Sequence, residues 1–295
     1  MKEYSKEEWS NYIDSIVKNK KIINNKDKIK NSIKTSLINN INNIKGKYGI
    51  LFSGGIDSTL LVLVSKRLNK DFVCYTVGVS GSGDVDLAKH IAKDYGLNLE
   101  VKIININDVD SIIENVVRII KNKGIPVNPV NVGVGCVVYC GMLLAKQDKI
   151  NTVVTGMGAD ELFAGYKEFL DAKDVNEHCI YRLKGIYNDL NRDISVSNSL
   201  KIKLVTPYLN KDIIKTAMQT PAKFKIKDNV RKYILRELAM DLGLDKRYAL
   251  IGKKAAQYSS GFDKAMHKLA KKHGLKNKKD YLNLVARRQQ MVTKT

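Results

Sequence analysis

YGILFSGGIDSTLLVLVSKRL, residues 48–68, is the stretch whose reading decides the fold. Residues 48–52 are a short apolar run with strand character, and residues 59–68 are an apolar helix. Between them lies SGGIDS. Gly54 and Gly55 let the backbone turn sharply and bring N–H groups close to an anion. The following helix points its positive end at the same spot. Ser53 and Ser58 add hydroxyl donors. Asp57 would repel a bound phosphate unless it held Mg2+, which then bridges to the phosphates. A plain strand–turn–helix with a capping Asp is the other reading. A Walker-type loop ending in Gly-Lys-Ser or Gly-Lys-Thr is absent.

The pattern continues outward from this stretch. Residues 72–79, 99–104 and 151–155 read as further core strands, and residues 85–95 and 109–121 as helices. Residues 124–135 read as irregular, with a buried helix over 137–146. Strands alternating with helices of this length predict an α/β fold with a parallel twisted sheet flanked by helices. The first 46 residues read as a helical lead, with Ile29, Ile33, Leu37, Ile41 and Ile44 in three- and four-residue steps. Residues 47–172 form the expected core. Residues 173–295 read as mainly helical, packed on the core, with a basic tail from 264.

Composition narrows the function classes. The 295-residue chain carries 51 Lys and Arg against 30 Asp and Glu, a net charge of +21. No uninterrupted apolar run reaches about 20 residues, and the first ten, MKEYSKEEWS, do not resemble a secretory leader. The four cysteines, Cys74, Cys136, Cys140 and Cys179, lack zinc spacing. His90, His178, His267 and His273 are scattered. A cytoplasmic protein without membrane contact is expected. Residues 246–295 hold 14 Lys and Arg against two Asp. That run reads either as a surface for a nucleic-acid backbone or as a plain solvated helix face. Few aromatics interleave with it, so base stacking is not indicated.

TGMGADELFAGY, residues 155–166, repeats the logic of the first loop at the end of the 151–155 strand. Asp160 and Glu161 stand in the first turn of a helix, where acids also cap. SGGIDS resembles the PP-loop of ATP pyrophosphatases. With TGMGADELFAGY, the chain resembles the synthetase domain of asparagine synthetases, on an adenine nucleotide alpha hydrolase-like fold. Residues 75–96, 206–218, 229–239 and 253–261 support the likeness, which covers roughly residues 45–265.

The resemblance implies that ATP places its phosphates on Ser53, Gly54, Gly55, Asp57 and Ser58. Phe52, Val77, Thr155 and Gly156 would line the nucleotide pocket. Mg2+ would be held by Asp57 and Asp160. A carboxylate would attack the α-phosphorus, pyrophosphate would leave, and ammonia or an amine would take the acyl group. Departures bear on the substrate. The family's second-motif glutamate is Met157 here, at the substrate-binding position. Its arginine and lysine align with Val205 and Ala255, so charge is expected to shift to the catalytic candidates Lys253 and Lys254, and to Lys203. Glu161 and Asp263 are the acids available to replace the lost one. The family's glutaminase segment has no counterpart in this sequence, which predicts that nitrogen comes as free ammonia, as an amine, or from a separate glutaminase subunit. Two other readings remain at this point: a PP-loop tRNA-modifying enzyme that uses the basic tail, and an ATP-binding subunit inactive without its glutaminase.

Overall fold

The computed structural model describes residues 3–18, 21–80, 84–252 and 260–292. Two helices lead, α1 (Lys6–Val17) and α2 (Lys26–Asn42). In α1, Ser5 and Glu8 exchange hydrogen bonds with each other's backbone N–H, which satisfies two orphan donors at the helix start. Trp9, Ile13 and Ile16 form its buried face, and the Trp9 indole donates to the Leu183 carbonyl at 2.7 Å. Ile29, Ile33, Leu37 and Ile41 line the buried face of α2 at four-residue steps.

Five strands follow: β1 (Tyr48–Leu51), β2 (Phe72–Val79), β3 (Leu99–Ile104), β4 (Thr152–Val154) and β5 (Lys203–Val205). They form one sheet in the order β3-β2-β1-β4-β5, every pair parallel. β1 and β2 are buried along nearly their whole length, as strands covered on both faces require. Crossovers run through α3 (Ile56–Arg67), α4 (Asp84–Asp94) and then α5 (Ile106–Lys121) with α6 (Pro129–Gln147). The order turns back between β1 and β4. In such sheets, ligands bind outside the carboxyl ends of the strands at that reversal.

Three local expectations are corrected. Helix α6 starts at Pro129, not near residue 137. Asn128 accepts from the Val130 and Asn131 N–H groups, and proline suits the first helical position because its fixed φ needs no donor. The glycines that suggested a loop instead allow close packing: a Cβ on Gly135 would lie 2.8 Å from a Val116 methyl. Strand β5 was not foreseen, and neither was the two-residue hairpin made later by Ile226–Lys227 and Val230–Arg231. Helix α6 is also the one helix among the described residues long and apolar enough to cross a membrane, at 19 residues and mean hydropathy 1.4. It packs between the sheet and α5, and Cys136 and Cys140 share its buried face.

The chain after β4 continues through α7 (Ala159–Leu162), α8 (Val175–Gly185) and α9 (Tyr187–Ser199). Beyond β5 come α10 (Lys211–Gln219), α11 (Ala222–Lys225), β6 (Ile226–Lys227), β7 (Val230–Arg231), α12 (Tyr233–Asp241) and α13 (Lys246–Ala249). The last two helices are α14 (Phe262–Lys272) and α15 (Lys278–Val292). One buried apolar cluster runs from Trp9 to Ala249 and includes β1, β4 and α12. A second, between β2, α5, α6, α14 and α15, contains Val77, Phe262 and Tyr281.

Candidate functional site

The first loop leaves the carboxyl end of β1. Phe52 donates its N–H to the Tyr75 carbonyl at 2.8 Å, so the strand pairing extends one residue into it. Gly54 takes φ +72°, a region that side chains avoid, and a Cβ there would meet Leu87 at 2.9 Å. The Gly55 N–H donates to the Ser53 hydroxyl at 3.3 Å, and the Ser58 hydroxyl donates to the Gly55 carbonyl at 3.2 Å. Helix α3 begins at Ile56, earlier than the apolar pattern predicts, so Asp57 and Ser58 stand in its first turn. The Tyr208 hydroxyl donates to the Asp57 carbonyl at 3.0 Å and pins that turn from below.

The second loop leaves β4, the neighbour of β1 across the reversal. The Thr155 N–H donates to the Val205 carbonyl at 3.0 Å. The two loops touch: a Cβ on Gly156 would lie 3.0 Å from the Asp57 Cβ. Asp160 and Glu161 occupy the first turn of α7.

A third element, which sequence reasoning missed, completes the cluster. Lys232 lies between β7 and α12 with φ +54°, in the left-handed region. Its side chain is 2% exposed, and Nζ lies 2.5 Å from Asp57 Oδ2 and 2.7 Å from Asp160 Oδ1. Burial works against the ammonium, but the Asp160 and Asp57 carboxylates outweigh it, and the Lys232 pKa is raised. Strain of this kind persists where the surroundings over-determine the backbone. Here Arg231 fixes one side by donating to the Gly165 carbonyl at 2.7 Å. Arg236 fixes the other through the Arg231 carbonyl at 2.7 Å and the Ile251 carbonyl at 3.0 Å. Burial lowers the Arg236 pKa. Gly165 is also sterically required, because a Cβ there would overlap both Asp160 and Lys232.

The other sequence candidates fall as follows. Phe52 and Val77 are buried at the carboxyl ends of adjacent strands. Thr155 is buried, and its hydroxyl has no hydrogen-bond partner among the described residues, an arrangement that suits a ligand acceptor. Met157 is half-buried and packs on the main core cluster. Lys253 and Lys254 lie outside the described residues. Lys203 does not reach the site. It pairs in register with Thr152 at the amino end of β5, while Val205 stands level with Val154 near the carboxyl end. In a parallel sheet the two ends of a strand face opposite edges, so Lys203 is not the expected cation; among the described residues the lysine at the carboxyl ends of β1 and β4 is Lys232. Glu161 does not reach toward Met157; it is buried and accepts from the Tyr166 hydroxyl. Asp263 is held by Lys278 at 2.5 Å.

Two carboxylates that converge on one cation also suit a divalent one. Mg2+ takes hard oxygen ligands and commonly uses one or two carboxylates together with substrate phosphates. Among the described residues no cluster of three or more His, Cys, Asp or Glu forms a self-sufficient metal cage.

Fold and site together define a doubly wound α/β protein with two glycine-bounded loops meeting at its strand reversal. The family model described as asparagine synthase matches residues 43–205 and 194–291, and the chain belongs to that family. It is 29% identical to the protein named "Putative asparagine synthetase (glutamine-hydrolyzing) 1" of Methanocaldococcus jannaschii, over 98% of this chain and 57% of that protein. It is 24% identical to asparagine synthetase B of Escherichia coli, over 71% of this chain and 40% of that one. The chain thus spans about half the length of these relatives. Among solved structures, NMN synthetase from Francisella tularensis overlays with a TM-score of 0.39 at 13% identity, over 97% of this chain and 94% of that one.

Proposed function

We propose that this domain is an AMP-forming ligase that joins a carboxylate to ammonia or an amine through ATP cleavage between the α and β phosphates. The observation that carries the reading is the convergence of Asp57 and Asp160, from the two loops flanking the strand reversal, on the Lys232 ammonium. Membership of the asparagine synthase family supports it.

The backbone N–H groups and hydroxyls of Ser53–Ser58 receive the phosphates, aided by the positive end of α3. Phe52, Val77, Thr155 and Gly156 border the nucleotide. Asp57 and Asp160 would hold Mg2+, which would neutralise charge on the phosphates and the leaving group. Lys232, kept protonated, adds a fixed positive charge beside that leaving group. A carboxylate oxygen of the substrate attacks the α-phosphorus, the bond to the bridging oxygen breaks, and pyrophosphate departs. The amine nitrogen then attacks the acyl carbon, loses a proton, and AMP leaves. Positioning dominates the catalysis. Lys253 and Lys254 serve as further catalytic cations. Nitrogen arrives as ammonia or an amine, or from a separate glutaminase subunit.

Aspartate fits this site poorly. Its ammonium group would face Met157, which offers no charge, while Glu161 is engaged with Tyr166. The test is ATP–pyrophosphate exchange on the full chain across a panel of carboxylic acids, with and without ammonia. Acid-dependent, Mg2+-dependent exchange with AMP as product is expected. Release of ADP and phosphate would refute the reading.

A further inference from the structure

Helices α14 and α15 form a hairpin on the side of β2, and its charge is not distributed as on the other helices. In α14 the buried positions are Phe262, Ala265, Met266, Leu269 and Ala270. The exposed positions are Lys264, His267, Lys268, Lys271 and Lys272, and none is acidic. They follow one another at three- and four-residue steps, so they form one stripe with neighbours about 5–6 Å apart. The connecting turn and α15 add the exposed Lys276, Lys279 and Arg287. Residues 262–292 carry nine Lys and Arg and only two acids. Both acids are engaged locally: Asp263 with Lys278, and Asp280 with the Asn277 amide at 2.9 Å.

Such a face costs stability. Like charges at these spacings repel one another. Favourable interaction with the helix dipole accounts for Lys271 and Lys272 in the last turn, but Lys264 stands in the first turn, where a cation is disfavoured. The stripe also starts beside the candidate site. Ser260, just ahead of α14, accepts the Val79 N–H at 2.7 Å at the carboxyl end of β2.

We propose that the α14–α15 face docks the sugar–phosphate backbone of RNA. Its composition distinguishes between polyanions. A firmly membrane-bound face combines such charge with apolar residues that insert, and a protein interface needs an apolar or aromatic centre. Among the described residues the large exposed apolar side chains are Ile22, Ile103, Val130, Leu170, Tyr181, Leu250 and Ile251, and none lies between residues 260 and 289. A cationic face without aromatic platforms reads phosphates, not bases. The choice of RNA over duplex DNA rests on the adenylating reading above. A folded RNA offers unpaired loops and ends whose amino groups can approach an activated acyl group at the strand ends, whereas a DNA duplex would first have to expel a base.

The test is fluorescence anisotropy with the full chain and a labelled RNA hairpin bearing a single-stranded 3′ end, from 50 to 200 mM KCl. The variant Lys268→Gln/Lys271→Gln/Lys272→Gln is compared with Lys28→Gln/Lys211→Gln/Lys215→Gln, which removes the same charge from exposed positions elsewhere. Expected are a loss of affinity of tenfold or more and a salt slope smaller by about 2–3 for the first variant only. Equal losses in both variants would show attraction by net charge alone and overturn the proposal. So would tighter binding of a DNA duplex of equal length, or binding to anionic phospholipid vesicles but not to RNA. Exchange with small carboxylates, measured on the same samples, should be unchanged by either triple. Exchange without RNA binding sinks only the docking surface, and RNA binding without exchange sinks only the ligase reading.

Discussion

Replacing Lys232 by methionine removes the ammonium that Asp57 and Asp160 share and keeps much of the side-chain volume. The Nζ distances of 2.5 and 2.7 Å place the two carboxylate oxygens no more than 5.2 Å apart. At an effective dielectric constant of about 20, two unit charges at that separation repel by about 3 kcal/mol. Removing one partner of a buried pair typically costs about 3–5 kcal/mol, in agreement. For a chain of this size that corresponds to a fall of about 6–20 °C in melting temperature. The assay is thermal unfolding followed by circular dichroism, in EDTA and in Mg2+, between pH 5 and pH 8. A carboxylate forced against another has its pKa raised above the unfolded value, so its ionisation destabilises the fold above that value. The deficit should therefore be largest at pH 8 and shrink as the pH falls. Mg2+ should recover more stability in Lys232→Met than in the wild type. If the variant does not fold, Asp160→Asn/Lys232→Met removes the repulsion and should restore folding. A fall under about 2 °C in EDTA, or a deficit that neither Mg2+ nor lower pH reduces, would refute the reasoning.

Asp57→Asn and Asp160→Asn should each abolish ATP–pyrophosphate exchange while the far-ultraviolet spectrum stays native; near wild-type exchange in either would remove that residue from the site. Met157→Glu should improve aspartate as a substrate for exchange, since it returns a charge able to meet the ammonium group; unchanged use of aspartate would show that the position does not face it. All four thiols are buried, and burial pushes Cys74 and Cys140 up to about 12 and raises Cys136 and Cys179. A thiol-reactive dye should therefore label none of them in the native protein at pH 8 and all four in denaturant.

The core of the fold was legible because β1, β2 and α3 are apolar runs, with a glycine turn between β1 and α3, and because α4 and α5 carry apolar residues at three- and four-residue steps. Strand β5 was not, because three residues, Lys203, Leu204 and Val205, carry no period that separates strand from helix. The start of α6 was hidden by glycines that serve packing, although the Asn128–Pro129 pair is a helix-start signal. At the site, Asp57 and Asp160 stood out by their place after glycine-rich turns. Lys232 had no such mark, since it is 175 positions from Asp57 and is brought there only by tertiary packing. One usable clue was Asp228–Asn229, both of positive φ here, a pair that favours the tight turn of a hairpin and so fixes where α12 begins.

That separation has a consequence for the order of assembly. During synthesis, both loops and all five strands of the sheet emerge before the lysine that neutralises them. A nascent chain that ends short of residue 232 must close its sheet edge with a proton or a borrowed cation standing between the two aspartates, or leave that edge open. The ammonium thus acts as a late keystone, and the nascent domain should gain resistance to protease in one step as the hairpin before α12 docks.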